Sequence, residues 1–499
     1  MESYKNLIIL IIVSFNFLLA SPLVFSQNRE PATRNTAEKI YRLTLDEATR
    51  LAIENNFEVQ LVQYDAQIAK TKQGEAESIY DTLLEAEIKY RDNQNARTTT
   101  LSGTKNLEND YNVGVSKKLP TGTTLEMDMT NARDWSNSLF ATINPSHDSA
   151  LGVVVHQDLG RNFLGTQDRG NIKITKLDIE NSQYTSVEKI EAKVADVQKA
   201  YWDLALHLER VKVEERMTEQ AKKLYDLHSE KIKSGLVEAP ELLASEANYR
   251  KRMNNLSLAQ NQAQTKANIL KLLLNLDAAV EILPAESLSA NEAVEDFNRS
   301  LQKAFANRQD YKRAQNDIAA KDIKISMAKN ALWPEINLEA SFVRNGIGDH
   351  FNDAVKNITQ QDNPEKFIGV SINFPLENHQ AKSQWSSAKI EKAKALVNFK
   401  LTERQITTGI IDQVRTCNVL QEIAGNSAAI AKLQAQKLEE EEKRFSRGRS
   451  DTDTMIRFQE DVIKAQAEAL QDQFNYLTAK IDLRVKESTV LNGYWKENY

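Results

Sequence analysis

Hydrophobic residues along the chain follow two periods in separate blocks. Val187, Ile190, Val194, Val197, Tyr201, Leu204, Leu208 and Val211 are separated by alternating steps of three and four. That is a heptad seam, the signature of helices coiling around neighbours. Helix-breaking residues are scarce around it. Between Asn171 and Asn345 the only glycine is Gly235, and prolines occur only at Pro240, Pro284 and Pro334. Between Leu376 and Arg447 there are only Gly409 and Gly425, and no proline. The pattern predicts long helices at about 166–233, 240–276, 379–446 and 452–490. At 1.5 Å per residue the first would be roughly 100 Å long, which suits a bundle or barrel of helices and not a compact core.

The glycine-containing stretches alternate with period two. Leu84, Ala86, Ile88 and Tyr90 interleave with Glu85, Glu87, Lys89 and Arg91, and Leu125, Met127 and Met129 with Glu126, Asp128 and Thr130. Similar sets are Tyr111/Val113/Val115, Leu151/Val153/Val155, Ile336/Leu338/Ala340/Phe342 and Ile368/Val370/Ile372/Phe374. Six strands are predicted, at about 83–91, 110–118, 123–131, 150–158, 335–343 and 366–376. Charged residues on one face and apolar ones on the other fit a transmembrane strand between lipid and a wet lumen, or a strand of a soluble sheet. Tyr90, Tyr111, Phe342, Phe367 and Phe374 are candidates for interfacial aromatic girdles or for ordinary packing.

The N-terminus reads separately. Lys5 precedes the apolar run Leu7–Ala20, with small residues at Ala20 and Ser26, so residues 1–26 are expected to be a signal peptide cleaved near Ser26/Gln27 or Ala20/Ser21. The run is short for the alternative, a single-pass anchor, which needs about 20 apolar residues. No cysteine near the junction offers a lipid anchor. No other stretch is long and apolar enough to cross a membrane as a helix, so insertion of the exported chain would use strands.

Composition narrows the function classes. The 499 residues include one cysteine, which excludes a disulfide scaffold or a multi-cysteine metal cluster. A net charge of −6 argues against nucleic acid as the main partner. Hydrophobic content of 41% excludes a polytopic helical membrane protein.

The chain also repeats internally. Asn55-Asn56-Phe57-Glu58-Val59 aligns with Asn307-Arg308-Gln309-Asp310-Tyr311, and Leu83-Leu84-Glu85 with Glu335-Ile336-Asn337, both at the same offset. Gly152-Val153-Val154-Val155 aligns with Gly369-Val370-Ser371-Ile372, and Gly235 with Gly448, at a shorter one. Two repeats, 27–290 and 291–499, therefore each read helix, strands, long helix, turn, long helix. The first holds the extra residues, including a hairpin at Tyr111–Asn131 around Pro120-Thr121-Gly122, flanked by long connections at about 92–109 and 132–149.

Leu43-Thr44-Leu45-Asp46-Glu47-Ala48 with Ala52-Ile53-Glu54-Asn55-Asn56, the passage Ala331-Leu332-Trp333-Pro334-Glu335-Ile336-Asn337-Leu338, and Arg444-Phe445, Gly448 and Asp453-Thr454-Met455-Ile456 form an ordered set. With the duplication, the set resembles the TolC-like outer-membrane efflux proteins over about residues 40–490. The resemblance implies a homotrimer, mainly α with a transmembrane β part: a long-helix α-barrel in the periplasm, continuous with a single β-barrel in the outer membrane. Members usually give four strands per chain, and this chain offers six. Either the barrel has eighteen strands, or the extra hairpin stands outside the wall as decoration, the arrangement favoured because closure ties strand number to tilt.

No catalytic constellation is present. The six histidines are scattered, with no H-E-x-x-H, G-x-S-x-G or phosphate-loop motif. His147-Asp148-Ser149 reads as a polar loop, and Cys417 as a buried thiol on a helical stripe with Val414 and Ile410. Neither an enzyme nor a cofactor or metal site is expected. By the resemblance, the two helix–helix turns lie at the periplasmic tip. Asp451 and Asp453, with Arg449 between the aligned glycine and the acids, are entrance or gate candidates, since acidic rings favour cations; Ser450 or Asp451 capping the next helix is the simpler role. Gly235, Leu236, Val237, Gly448 and Ser450 are candidate docking positions for a periplasmic adaptor (membrane fusion protein), or ordinary left-handed turn residues. Glu439–Arg444 reads as a solvated charged face. The implied function is a passive exit duct from an inner-membrane pump or ABC exporter, with outer-membrane lipid as its surroundings. The alternative is a periplasmic structural or adaptor coiled coil without a pore.

Overall fold

The computed structural model describes residues 40–96, 101, 103–235, 237–290 and 295–494, so the expected signal peptide and Leu236 lie outside the described residues. The chain runs β1 (Ile40–Leu43), α1 (Leu45–Asn55), α2 (Phe57–Glu77), β2 (Thr82–Asn93), β3 (Asn106–Lys118), β4 (Thr123–Ser136), β5 (Ser146–Asp158), α3 (Thr166–Lys231) and α4 (Ala239–Leu273). It continues with β6 (Glu281–Pro284), α5 (Phe297–Asn307), α6 (Gln309–Asn330), β7 (Glu335–Gly348), α7 (Phe351–Gln360), β8 (Pro364–Asn373), α8 (His379–Ser446) and α9 (Thr452–Glu487).

The helices form where side chains close their ends and apolar seams meet. Thr44 and Glu47 build a capping box on α1, and Asp296 caps α5 through the Arg299 N–H. At the start of α3, Asn162 adopts φ 64° and its Oδ1 accepts from the Gln167 N–H at 2.9 Å. Helices α3 and α8 contain 66 and 68 residues, each roughly 100 Å long. Next to the strands the packing order is α2–α3–α6–α8, and toward the other end it is α4–α3–α9–α8. Two long helices thus span the molecule, and shorter ones stack beside them in pairs.

The largest core lies midway, where the parallel pair β1/β6 and α1 close over α3. Leu43, Ala52, Val197, Tyr201, Leu204, Leu270 and Ile282 are buried together there. Burying each large side chain is worth about 1.5–3 kcal/mol. The Tyr201 hydroxyl donates to the Leu43 carbonyl at 3.0 Å and also to the Glu286 carboxylate. A second cluster joins Ile406, Ile410, Val414 and Cys417 to Ala479 and Leu483. Burial pushes the Cys417 thiol up to about 11, and its Sγ donates to the Ala479 carbonyl at 3.3 Å.

All six long strands form one antiparallel sheet in the order β2-β3-β4-β5-β7-β8. This corrects the expectation that the extra hairpin stands outside the wall. Hairpin β3–β4 pairs with β2 from Thr82↔Lys117 to Asn93↔Asn106, and with β5 from Thr123↔Gln157 to Asp134↔Ser146. Its backbone groups are satisfied inside the sheet, which decoration would leave open. The strands also run further than the alternation indicates, leaving connections of only 94–105 and 137–145. His147-Asp148-Ser149 is correspondingly strand and not loop: His147 pairs with Arg133 and Ser149 with Asn131.

The C-terminal segment is tied down at Glu191, a buried residue of α3. Its carboxylate accepts from the Ser488 hydroxyl. Burial nevertheless pushes its pKa up to about 7, against the lowering by Ser488 and the Val490 and Leu491 N–H groups. A folded pKa above the unfolded value stabilises fully below pH 4.5, and that contribution is lost as pH rises through 7. Glu191→Gln keeps the acceptor and removes the titration. We predict that its thermal midpoint exceeds the wild type's at pH 8, by the equivalent of about 3 kcal/mol, and converges with it near pH 4.5. Parallel melting curves across pH would refute this.

Candidate functional site

The features that bear on function lie at the two ends of the molecule. At the helical end are two turns. Helix α3 ends in a short 3₁₀ turn closed by Gly235 at φ 69°, whose N–H donates to the Ile232 carbonyl at 3.0 Å. Helix α8 ends at Gly448, φ 71°, with the Gly448 N–H donating to the Phe445 carbonyl and the Arg449 N–H to the Arg444 carbonyl, both at 3.0 Å. Glycine suits both positions because a Cβ disfavours the left-handed region.

Asp451 is the N-cap of α9. Its Oδ1 accepts from the Thr454 N–H at 2.8 Å and its Oδ2 from the Thr454 hydroxyl at 3.0 Å. These donors hold its carboxyl below the ordinary aspartate range. Asp453 follows in the first turn, and Arg449, Gly448, Asp451 and Asp453 are all exposed, with Ser450 half-buried between them. Gly235 is exposed and Val237 half-buried in the other turn.

A residue that sequence alone leaves among the scattered histidines touches the helix ends beside both turns. His228, near the end of α3, is 2% exposed. Its Nε2 lies 3.4 Å from the Thr452 Oγ1 at the start of α9, and its ring is 6.1 Å from that of Phe445 at the end of α8. The signal for it is positional. Val213, Met217, Ala221, Leu224 and His228 follow one another in steps of 4, 4, 3 and 4 on α3, and all are buried.

At the opposite end the strand register separates two faces. Cross-strand partners place Leu84, Ile88, Val113, Val115, Met127, Val153, Phe342, Ile368 and Val370 on one face. Most of it is uncovered: Ile88 is 74% exposed, Ile368 76% and Ile372 68%. Tyr90, Tyr111 and Phe342 belong to this face, whereas Phe367 pairs with Ser341 on the other, and Phe374 lies past the end of β8. The second face is acidic. Glu85, Glu87, Glu108, Asp110, Glu126, Asp128, Asp134, Asp148, Glu339 and Glu365 lie on it, against Lys89, Arg91 and Lys118. Of these cations, Lys89 pairs with Glu87 at 2.7 Å and Arg91 with Glu108 at 3.1 Å.

Comparison with known proteins agrees with this architecture. Residues 133–276 match the family model described as outer membrane efflux protein. No curated protein matches the chain. Among solved structures, the CmeC outer membrane channel of Campylobacter jejuni is 13% identical with a TM-score of 0.62, covering 91% of this chain and 87% of its own. The outer membrane protein VceC of Vibrio cholerae is 15% identical with a TM-score of 0.64, covering 89% and 95%. The open state of the Neisseria gonorrhoeae MtrE outer membrane channel is 15% identical with a TM-score of 0.65, covering 90% and 89%. The resemblance to TolC-like outer-membrane efflux proteins is thus met by a family model over one segment and by the fold over nearly the whole chain.

The Asp451 cap gives a local prediction. Asp451→Ala should raise the hydrogen-exchange rate of the Thr454 amide about fivefold, the equivalent of about 1 kcal/mol for a lost N-cap, while Asp451→Asn should leave it near the wild-type rate. Equal protection in Asp451→Ala would show that the cap does not hold the turn.

Proposed function

We infer that the chain is one third of a passive outer-membrane exit duct. The observation that carries this is the sheet: its apolar face is uncovered and its edge strands, β2 and β8, each have one neighbour among the described residues. In lipid an open strand edge leaves backbone groups unsatisfied, so such a sheet is stable there only when closed. Three copies joined β8 to β2 would close an eighteen-stranded barrel, apolar outside and acidic inside.

The helices support the same head-to-tail assembly. Helix α2 leads into β2 and α8 follows β8, and both carry bare apolar stripes. Phe57, Leu61, Tyr64 and Ile68 of α2 are 58–63% exposed, and Ile390 and Val397 of α8 are 67% and 68% exposed. Matching edges of this kind give a closed ring of a heterologous interface. The element order also favours two repeats, 27–290 and 291–499, with α2/α3/α4 in one corresponding to α6/α8/α9 in the other. The bare apolar face argues against the periplasmic coiled-coil alternative, which has no use for it.

In this reading the chain is exported by residues 1–26 and resides in the outer membrane of a Gram-negative bacterium, with a long periplasmic part. It is not an enzyme, and energy comes from an inner-membrane pump or ABC exporter. The turns at Gly235–Val237 and Gly448–Ser450 are where a periplasmic adaptor docks. Asp451 and Asp453, beside Arg449, ring the entrance, and the tip helices move to gate it. The acidic strand face makes the duct a path for cations in preference to anions.

The test is conductance in planar bilayers. The protein should form pores whose reversal potential in a salt gradient has the sign of cation preference. Asp451→Asn with Asp453→Asn, which keeps a capping side chain, should weaken that preference. Absence of any pore, or anion preference in the wild type, would contradict the reading.

A further inference from the structure

Helix α7 turns back from the far end of β7 onto the apolar face of the sheet. Gly346 and Gly348 lie on that face by alternation with Phe342. A methyl group on Gly346 would sit 2.3 Å from the Ala354 carbonyl oxygen, and one on Gly348 2.8 Å from the Ala354 nitrogen. The absent side chains therefore let the helix lie directly on the strand. Ala354 and Ile358 are buried against it, and Asn357 Nδ2 donates to the Ile347 carbonyl at 2.8 Å. On the same face, buried Asn131 donates to the Ser149 hydroxyl at 2.6 Å. The apolar band ends, on the side away from the long helices, in a polar, partly helix-covered rim.

Charge on this face follows the same division. Its charged residues in the far halves of the strands are Arg133, Arg344, Lys366 and Asp92, and Asp92 is ion-paired with Lys105 at 3.6 Å. Arg344 Nη2 donates to the Gln361 carbonyl at 2.7 Å and lies 3.9 Å from exposed Asp362. Lys366 is exposed and Arg133 half-buried. The nearby acids Asp349 and Asp353 flank His350 at 3.1 and 3.9 Å. Among the strand residues of this face three basic side chains thus stand against Asp92 alone, whereas the opposite face of the same strands is acidic.

We propose that this rim, with Lys356 and Phe351 of α7, docks the phosphorylated glycolipid headgroup (lipid A) of the outer leaflet. The proposal rests on the duct reading, in which the apolar face meets lipid and this end faces the exterior. Basic side chains are tolerated on a barrel's lipid face only near the interface. An anionic leaflet attracts them there. Arginine adds paired donors that match a phosphate. Phe351, 43% exposed beside them, reaches the acyl boundary as interfacial helices do.

The test uses the full chain in phosphatidylcholine nanodiscs containing lipid A, dephosphorylated lipid A or phosphatidylglycerol, with retained lipid counted by mass spectrometry. The wild type should retain lipid A above the other two. Arg133→Gln with Lys366→Gln should lower its lipid A affinity about thirtyfold per chain, and Lys366→Gln alone, at an exposed site, about fivefold. Equal retention by wild type and Lys366→Gln, or equal retention of phosphatidylglycerol and lipid A, would overturn the proposal while leaving the duct intact. Failure to enter any nanodisc would overturn the duct reading instead.

Discussion

The structure depends on how the backbone of its six strands is satisfied. Each interior strand is paired on both sides, while β2 and β8 present one open edge each. Water would tolerate those edges, but the uncovered apolar face beside them is out of place in water. On the proposed reading, closure of the sheet into a barrel within a membrane answers both. The helices that flank those edges share the exposure: α2 enters the sheet at β2, α8 leaves it at β8, and both carry bare apolar stripes.

The rest of the molecule transmits that geometry over a long distance. Helices α3 and α8 run the full helical length, and the shorter helices stack beside them so that the layer keeps four helices in width. The midway core around Tyr201 fixes the first long helix to β1 and β6. At the tip, His228 joins the ends of α3 and α8 to the start of α9. A change in the packing of that one contact is therefore shared by the helix ends beside both turns.

Much of this is legible in the sequence, for physical reasons that also set the limits. The seam from Val187 to Val211 reads as helix because burial on a coiled stripe demands its spacing, and Ile190, Val194, Val197, Tyr201 and Leu204 are indeed buried. The strand ends are less legible. Asn131, His147 and Ser149 are polar, so alternation fades while backbone pairing, which needs no particular side chain, carries on. The place of the β3–β4 hairpin is hidden for the same reason: closure geometry bears on how many strands a barrel holds and not on which hairpin joins it. Asp451 is readable as a cap from its position before an apolar-periodic run. His228 is not, because a histidine on a core stripe looks like noise until its neighbours from two other helices are in place.

The central claim is that three chains complete one another's sheets. Electron cryomicroscopy of the detergent-extracted protein tests it most directly, through symmetry and strand count. The account predicts a hollow threefold cylinder whose β wall contains eighteen strands, with β8 of each copy paired to β2 of the next. A monomer, a solid rod, or a wall in which hairpin β3–β4 lies outside the barrel would contradict it.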